Sequence, residues 1–467
     1  MEQPGRSPAP PPSRPGPPGP PDRPGSSGQP GPSGHTPLAS PAPPDPSGPS
    51  GHTPLASPAP PDPSGPSGQT VPPPGDPASR PAAEPPGRPV LAGILTALVG
   101  FTSSFAVVLA GLRGVGATPA QAASGLLAVC ATQGLGILWL VRRHRIPLTL
   151  AWSTPGAAVL ASTGVVRGGW PAAVGAFAVA GGLIVITGLW PRLGRLISAI
   201  PTPIAQAMLA GVVLELCLVP VKGFVAHPWL VGPILLTWLL MLRFARKWAV
   251  PAAFAVTLVV VGVEVARHGG WPGAIVPHLI WTAPVLTVPG LLSLAIPLYI
   301  VTMAGQNVPG VAIMASYGYR VPWRETMTVT GLGTAAGAMA GGHAINLAAI
   351  TASMAASPDA DPDPGRRWIA SWTAGWAYLV LAVVSTALTV FISAAPSDLA
   401  GAVAGLALLG TLSSALAGAL SATQGREAAA ITFVVAASGL SFLGVGAAFW
   451  ALAAGLAVHA VLPRLRS

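Results

Sequence analysis

Charged residues are scarce in this chain. Its 467 residues include 24 Lys and Arg and 14 Asp and Glu, which is 8% charged, whereas 51% of the residues are hydrophobic. Apolar runs such as 174–190 and 375–392 are long enough to cross a bilayer. This composition excludes an ordinary soluble globular protein and predicts a polytopic, all-α membrane protein.

Cysteines and enzyme motifs are scarce as well. Cys130 and Cys217 both fall in apolar runs, so no disulfide framework is implied. The sequence has no HExxH, no metal-spaced Cys/His cluster, no Walker A motif and no nucleophile elbow. These absences argue against an enzyme and predict no metal and no cofactor. Without a nucleotide site, we expect a secondary transporter or a channel.

Proline is concentrated at the N-terminus. Residues 1–88 hold 32 of the 56 prolines and almost no large apolar residue, so this tail is predicted to be disordered. A 17-residue sequence occurs at 31–47 and again at 48–64. Repeat expansion of a linker and a docking site for a partner that binds polyproline II helices both remain open. No apolar segment precedes the tail, so no cleavable signal peptide is expected.

The remainder, residues 89–467, is predicted to be one transmembrane domain with fourteen spans. The spans are placed near 91–111, 118–141, 149–166, 171–190, 197–219, 229–242, 248–265, 290–308, 324–340, 342–357, 368–393, 397–420, 427–440 and 442–461. Seven spans fall in each half of the domain, about 91–265 and about 290–461.

Loop charges support this even number of spans. With a cytoplasmic N-terminus, fifteen Lys and Arg fall in inside loops and only four, Arg113, Arg167, Lys222 and Arg267, fall in outside loops. That asymmetry satisfies the positive-inside rule. The excess of basic residues is therefore a topology signal, and nucleic acid is not an expected partner. Both termini are predicted to be cytoplasmic.

Two spans are interrupted near their start by residues that break helices. The third span contains Ser153-Thr154-Pro155-Gly156, and the tenth contains Gly341-Gly342 followed by His343. Paired breaks of this kind indicate a transporter binding site. They predict two half-helices, the second starting near Ala344, whose N-termini point into the middle of the bilayer and suit an anion. Continuous kinked helices without a ligand are the competing interpretation.

The first and eighth spans carry polar groups in corresponding positions of the two halves. Thr102, Ser103 and Ser104 lie in the first span. For Thr102 and Ser103, a hydrogen bond to the preceding helical turn is favoured over a contact with a ligand. Gln306 and Asn307 lie in the eighth span before a predicted Pro-Gly break, and a role in a binding site is favoured for both amides.

His343 is the one histidine near the predicted site. It is a candidate for carrying a proton or for bonding to a carboxylate. A neutral histidine that satisfies a freed backbone carbonyl explains its position equally well. Glu215, five residues before Pro220, is expected instead to reach toward the outer surface or to pair with Lys222.

Several motifs resemble the benzoate transporter family, the benzoate/proton symporters often called BenE. The likeness spans about 91–461 and leaves 1–88 outside it. It rests on GFTSS at 100–104, AWSTPGAA at 151–158, MLAG at 208–211, PLYIVTMAGQNVPG at 297–310, GGHAINLAAITA at 341–352 and AGLALLG at 404–410.

The resemblance implies an inverted seven-plus-seven fold similar to that of nucleobase and sulfate transporters. A core domain of spans 1–4 and 8–11 would hold the substrate, and a gate domain of spans 5–7 and 12–14 would flank it. Nucleobase members of that fold place carboxylates in spans 8 and 10. Here those places hold Gln306 and His343, so this chain departs from the pattern on which their proton coupling rests.

Together with these observations, the resemblance implies a proton-coupled importer of benzoate or a close aromatic carboxylate, multi-pass in the inner (plasma) membrane. The carboxylate is expected between Thr154–Ala157 and His343–Asn346, and either His343 or the substrate's own carboxyl would carry the proton. The predicted polar substrate contacts are Ser103, Ser153, Thr154, Gly156, Gln306, Asn307, Gly342, His343 and Asn346, and the predicted ring contacts are Phe101, Trp152 and Tyr299.

Other functions remain open at this stage. A channel would pass anions between the same half-helices, although no ring of like charges lines a pore in the sequence. A transporter for another small organic anion or a nucleobase, and a sensor that uses the tail as a signalling arm, are further alternatives. The expected partners are the small organic anion, protons and the lipid bilayer, and a homodimer is left open.

Overall fold

The structure is a computed structural model that describes residues 87–268, 276–394, 397–421 and 425–465. The tail predicted to be disordered, with its repeat, lies outside these ranges except for its last two residues. In the described part of the chain, eight helices are long and apolar enough to cross a membrane, and two shorter apolar helices accompany them. All fourteen predicted spans correspond to helical segments.

The first half of the domain contains seven spans, numbered here in chain order. Span 1 consists of Arg88–Thr102 and Phe105–Gly114, span 2 is Pro119–His144, and span 3 is strand β1, Leu150–Trp152, with the half-helix Thr154–Thr163. Spans 4 to 7 are Gly169–Leu189, Thr202–Ala226, Pro228–Phe244 and Ala249–His268. A short helix, Pro191–Ser198, precedes span 5, and a single 3-10 turn, Arg246–Trp248, precedes span 7.

The second half repeats this order. Span 8 is Val288–Ser316, span 9 is Trp323–Ala338, and span 10 is strand β2, Ile345–Leu347, with the half-helix Ile350–Ala356. Spans 11 to 14 are Trp368–Ser393, Ser397–Leu420, Arg426–Ala437 and Ala447–Leu465. The third span of each half is therefore a short strand followed by a half-helix.

The prediction for the start of the second half-helix is wrong. Helix was expected from about Ala344, but Ala344 accepts a hydrogen bond from Ser153 N and leads into strand β2. Helix begins only at Ile350, because the backbone of 345–347 is extended and paired with β1. The glycines do break the span as expected, since Gly341 has a φ of 88°.

The predicted Pro-Gly break in span 8 is also wrong. Helix continues through Pro309 and Gly310 to Ser316, and the irregularity lies earlier, in the π-helical segments Leu291–Ala295 and Met303–Asn307. Pro309 is tolerated because it lies in the first turn of the α-helical segment that follows the second π-helical segment. Wider π turns often occur at functional sites.

Close approach of glycines joins spans 4 and 9. A Cβ added to Gly181 would lie 2.7 Å from the carbonyl oxygen of Gly331, and a Cβ added to Gly331 would lie 2.7 Å from that of Gly181. Any side chain at either position would collide with backbone. Membrane helices use small residues in this way because close backbone contact replaces the hydrophobic driving force that lipid does not supply.

An extended segment, 276–287, crosses one end of the spans before span 8 begins. Ile280 N donates to Ser124 Oγ (2.8 Å), and Thr282 N donates to the Met339 carbonyl (2.9 Å). Ser124 Oγ also donates to the carbonyl of Ala340 (2.7 Å), next to the glycine break. This segment therefore fixes the turn that leads into β2.

Arg367 secures the other end of span 10. Its buried guanidinium donates to the carbonyl oxygens of Ala356 (2.9 Å), Asp361 (2.7 Å) and Pro362 (3.3 Å). Ala356 is the last residue of the half-helix, where unpaired carbonyls and the negative end of the helix dipole favour a cation. Arg367 thus holds the half-helix at its C-terminal end.

Replacing Arg367 should destabilise the domain more than replacing its neighbour. We expect Arg367→Gln to lower the free energy of unfolding by about 2 kcal/mol, because buried carbonyls lose a charged donor. Arg366→Gln is the matched control. Its side chain is 47% exposed and pairs with Asp361 at 3.4 Å, so its loss should cost less than about 1 kcal/mol. Thermal unfolding of purified protein in detergent measures both, and equal costs would contradict the capping role.

Candidate functional site

The two broken spans meet each other at strands β1 and β2. The strands pair antiparallel with Leu150 opposite Leu347, Ala151 opposite Asn346 and Trp152 opposite Ile345. Ser153 N donates to Ala344 O (2.8 Å), and Ala348 N donates to Thr149 O (3.0 Å), which extends the ladder at both ends. Each strand therefore satisfies the backbone polar groups on the facing edge of the other, which hydrocarbon would leave unpaired.

Ser153 caps the half-helix of span 3. Its Oγ accepts a hydrogen bond from Gly156 N (3.1 Å), which satisfies one of the free N–H groups at the helix start. The same Oγ accepts from Thr302 Oγ1 of span 8 (2.8 Å). Pro155 fits in this first turn, where its missing N–H costs nothing. The cap thus joins a half-helix of the first half to a helix of the second.

A cavity of about 120 Å³ lies where the two half-helices begin. Its size is below the range of about 300–1,000 Å³ found for drug-sized ligands, which suits a small solute. Spans 1, 3, 8, 10 and 12 contribute to its wall. The lining residues are Val99, Gly100, Ser103, Ser104, Ala151, Trp152, Thr154, Pro155, Gln306, Ala348, Ala349, Thr351, Ala407 and Thr411.

Four of the twelve predicted site residues line this cavity, namely Ser103, Trp152, Thr154 and Gln306. Ser103 Oγ also donates to the Val99 carbonyl one turn earlier in span 1, as the sequence analysis allowed. Its lone pairs remain able to accept a hydrogen bond. Gln306 is half-buried and presents a side-chain amide to the cavity from the π-helical segment of span 8.

Trp152 is held in one orientation. Its indole Nε1 donates to Ser104 Oγ (2.7 Å), and its ring lies 5.6 Å from that of Phe101 at an interplanar angle of 55°. Trp152 is 3% exposed and Phe101 is 1% exposed. Phe101 therefore supports the ring of Trp152 from behind the cavity wall instead of facing the cavity itself.

The amides of Asn307 and Asn346 are used within the protein. Asn307 Oδ1 accepts from Leu347 N (2.8 Å), so the side chain extends the ladder of β2 into span 8, and its Nδ2 contacts Met303 Sδ (3.2 Å). Asn346 is fully buried. In the amide orientation that satisfies both side-chain atoms, its oxygen accepts from Ser153 N (3.1 Å) and its nitrogen donates to Leu347 O (3.0 Å). Both residues lie behind the wall, and their contact with a solute stays a prediction.

His343 lies one layer behind the cavity and is 1% exposed. Its Nε2 is 3.2 Å from the carbonyl oxygen of Ser153, and because a carbonyl can only accept, Nε2 is the donor. Nδ1 has no hydrogen-bond partner among the described residues. Trp152 and Thr154, on either side of Ser153 in the chain, both line the cavity. His343 is thus linked to the site through one peptide unit.

Three further predicted contacts lie away from the cavity. Tyr299 is 4% exposed, and its hydroxyl bonds to Thr187 of span 4. Gly156 faces the side chain of Leu298, and Gly342 N donates to Gly337 O (2.8 Å). These residues shape the elements around the site, and a role in touching the substrate stays a prediction for each.

Sequence reasoning missed most of the remaining wall. Thr411 places a hydroxyl in the middle of the apolar span 12, and Thr351 follows the second break. Both could have been found by the criterion that identified Ser103, which is a polar side chain within an apolar span. Ser104 was noted as polar but was not chosen. Pro155 was identified as part of the first break, but the alanines and Val99 carry no such signal, because only the packing of five spans brings their side chains to one place.

The link between Ser153 and Thr302 should be measurable as coupling. We expect Ser153→Ala to lower the free energy of unfolding by about 1 kcal/mol through loss of the cap. The Ser153→Ala/Thr302→Val double variant should cost at least about 0.5 kcal/mol less than the sum of the single changes. Ser162→Ala is the control, because the Ser162 hydroxyl bonds to the Val159 carbonyl within the same helix. Strictly additive costs in a thermal unfolding series would show that the two hydroxyls do not interact.

Comparison with known proteins identifies the family. The family model described as "BenE: Benzoate membrane transport protein" matches residues 84–461. The chain is 37% identical over 384 residues to "Inner membrane protein YdcO" of Escherichia coli (strain K12), covering 81% of this chain and 96% of that protein. It is 29% identical over 388 residues to the "Benzoate membrane transport protein" of Acinetobacter baylyi, covering 80% and 94%.

Solved structures agree on the fold. The transmembrane domain of a cyanobacterial bicarbonate transporter, BicA, aligns with a TM-score of 0.53 at 15% identity, covering 78% of this chain and 97% of that one. SLC26A9 aligns with a TM-score of 0.54 at 14% identity, covering 81% and 66%. The predicted fold of two inverted halves with seven spans each is confirmed. The chain is a multi-pass membrane transporter, and it belongs to the benzoate membrane transport protein family.

Proposed function

We propose that this protein is a secondary active transporter that imports benzoate or a close aromatic carboxylate together with a proton. The observation that carries the proposal is the small cavity at the start of both half-helices, with Trp152 on its wall and hydroxyl and amide groups around it. A single aromatic ring with one polar group matches that combination of size and chemistry. The name of the Acinetobacter baylyi relative supports benzoate as the first solute to test.

The absence of charge around the cavity supports proton coupling. Among the described lining residues there is no Lys, Arg, His, Asp or Glu. A carboxylate that leaves water for such a site loses hydration that only hydroxyls, amides and helix dipoles replace. Entry of a proton with the anion removes most of that cost, because the pair is neutral.

His343 is the proposed carrier of this proton. Its Nδ1 is buried without a partner in the described part of the chain, and its Nε2 bonds to the Ser153 carbonyl beside the cavity. Protonation at Nδ1 would place a positive charge one peptide unit from the substrate carboxylate. The attraction between these charges would make binding of the proton and of the anion mutually favourable. Transport of the protonated acid itself is the alternative form of the same coupling.

Movement of two domains would expose the cavity to each side in turn. Spans 1, 3, 8 and 10 of the proposed core supply most of the wall, whereas Ala407 and Thr411 come from span 12 of the proposed gate. A shift of the core against the gate therefore opens the wall without disturbing the β1–β2 pairing. We place the transporter in the inner membrane with both termini cytoplasmic, as the loop charges favour. A homodimer is compatible with this arrangement.

Uptake by reconstituted protein tests the proposal directly. Proteoliposomes with an imposed pH gradient, alkaline inside, should accumulate radiolabelled benzoate saturably, and dissipating the gradient should abolish the accumulation. Salicylate should compete, whereas uracil and sulfate should not. Absence of benzoate uptake together with strong uptake of another solute would reject the assignment. Flux without saturation or accumulation would indicate a channel.

The proton role of His343 has its own test. His343→Gln keeps a donor for the Ser153 carbonyl but removes the titratable ring. We expect exchange of benzoate across the membrane to persist while accumulation driven by the pH gradient falls to the level seen without a gradient. His459→Gln in span 14 is the control, since His459 does not line the cavity. Unchanged accumulation and unchanged pH dependence in His343→Gln would rule out the proposed role.

A further inference from the structure

A second, larger cavity lies beside the central one. Its volume is about 320 Å³, and spans 1 and 10, the turn before span 7 and the end of span 8 contribute to its wall. We call it the vestibule. Its lining residues are Ala92, Leu95, Val99, Lys247, Trp248, Tyr317, Ser353, Met354, Ser357, Asp359 and Ala360.

The vestibule adjoins the central cavity on the side of the basic loops. Val99 of span 1 lines both cavities, so their walls share this residue. Lys247, Tyr317 and Asp359 lie in loops, or at span ends, that the charge pattern assigns to the inside. A solute released from the central cavity toward that side would pass through the vestibule.

Lys247 is the one Lys or Arg among the described residues that line the vestibule. It is exposed and belongs to the 3-10 turn Arg246–Trp248. No ion pair joins it to Asp359 or to another carboxylate within the described part of the chain. Its ammonium group is therefore available to a solute, while the carboxylate of Asp359 opposes an anion on the same wall. Opposed charges predict weak binding, which suits a site that a solute must leave.

The remaining wall suits an aromatic ring. Trp248 is 41% exposed, and Leu95 and Met354 add apolar surface from span 1 and the half-helix of span 10. The hydroxyls of Tyr317, Ser353 and Ser357 add polar groups around them. An apolar wall next to one unpaired ammonium group matches a monovalent aromatic carboxylate.

We infer that the vestibule is a second, weaker binding site for the transported aromatic carboxylate, in which Lys247 contacts the carboxylate and Trp248 contacts the ring. This inference rests on the proposed function, because it takes the same class of solute. It also gives Lys247 a role in substrate release, whereas the proposed function gave this residue no role.

Fluorine NMR of the purified full-length protein titrated with para-fluorobenzoate tests this inference. Wild-type protein should show a tight and a weak saturable component. Lys247→Gln should weaken the weak component about two- to five-fold and leave the tight one unchanged. Asp359→Asn should strengthen the weak component by a similar factor, and Lys247→Arg should preserve it. Arg246→Gln, which removes the same charge one residue away but outside the lining, should change neither component.

The outcomes separate the two proposals. A tight component alone in the wild type would overturn the vestibule site and leave the proposed function intact. Equal effects of Lys247→Gln and Arg246→Gln would also overturn it, because they would show a general effect of surface charge. No saturable component at all would overturn both proposals.

Discussion

Pairing of two three-residue strands inside the membrane is the interaction on which the rest of the structure depends. A break in a membrane helix leaves backbone N–H and C=O groups that lipid does not satisfy. Here the backbone groups at one break bond to those at the other, since Ala151 pairs with Asn346 and the ladder continues through Ser153 and Ala348. Because the strands are anchored to each other, both half-helices begin at one place, and the space between them becomes a cavity. Asn307 and Thr302 then attach span 8 to the same ladder.

The chemistry of the cavity follows from what this ladder leaves accessible. Ser153, Asn307 and Asn346 are committed to holding backbone, so the groups that remain for a solute are the hydroxyls, the amide of Gln306 and the indole of Trp152. If this cavity holds the substrate as proposed, it would discriminate between solutes by shape and neutral hydrogen bonds more than by charge. The titratable groups lie outside the cavity wall, with His343 behind it and Lys247 and Asp359 in the vestibule beside it. In the proposed mechanism, His343 would carry the proton and Lys247 would contact the anion.

Much of the fold was predictable, because hydrophobic composition marks the membrane spans and the presence of Pro or Gly marks the helix breaks. The fourteen spans and both breaks follow from hydropathy and from the conformational preferences of Pro and Gly. The second strand was not predicted, since Ala344 to Ala348 has no local feature that prohibits helix, and only pairing with β1 keeps it extended. The same limit applied to the site. Sequence placed His343 and Asn307 at the ligand because they are polar, but their burial behind the wall is set by neighbours that are distant in the chain.

The pairing of β1 with β2 also has a consequence for biogenesis. The hydrogen-bonding partners Ser153 and His343 are 190 residues apart in sequence, so the two halves of the ladder enter the membrane at different times during synthesis. When the first seven spans have been inserted, β1 still lacks the strand that satisfies it. Contacts this distant in sequence form late. The first half must therefore keep span 3 shielded from lipid, either against spans 1 and 2 or within the insertion machinery, until span 10 arrives to complete the ladder.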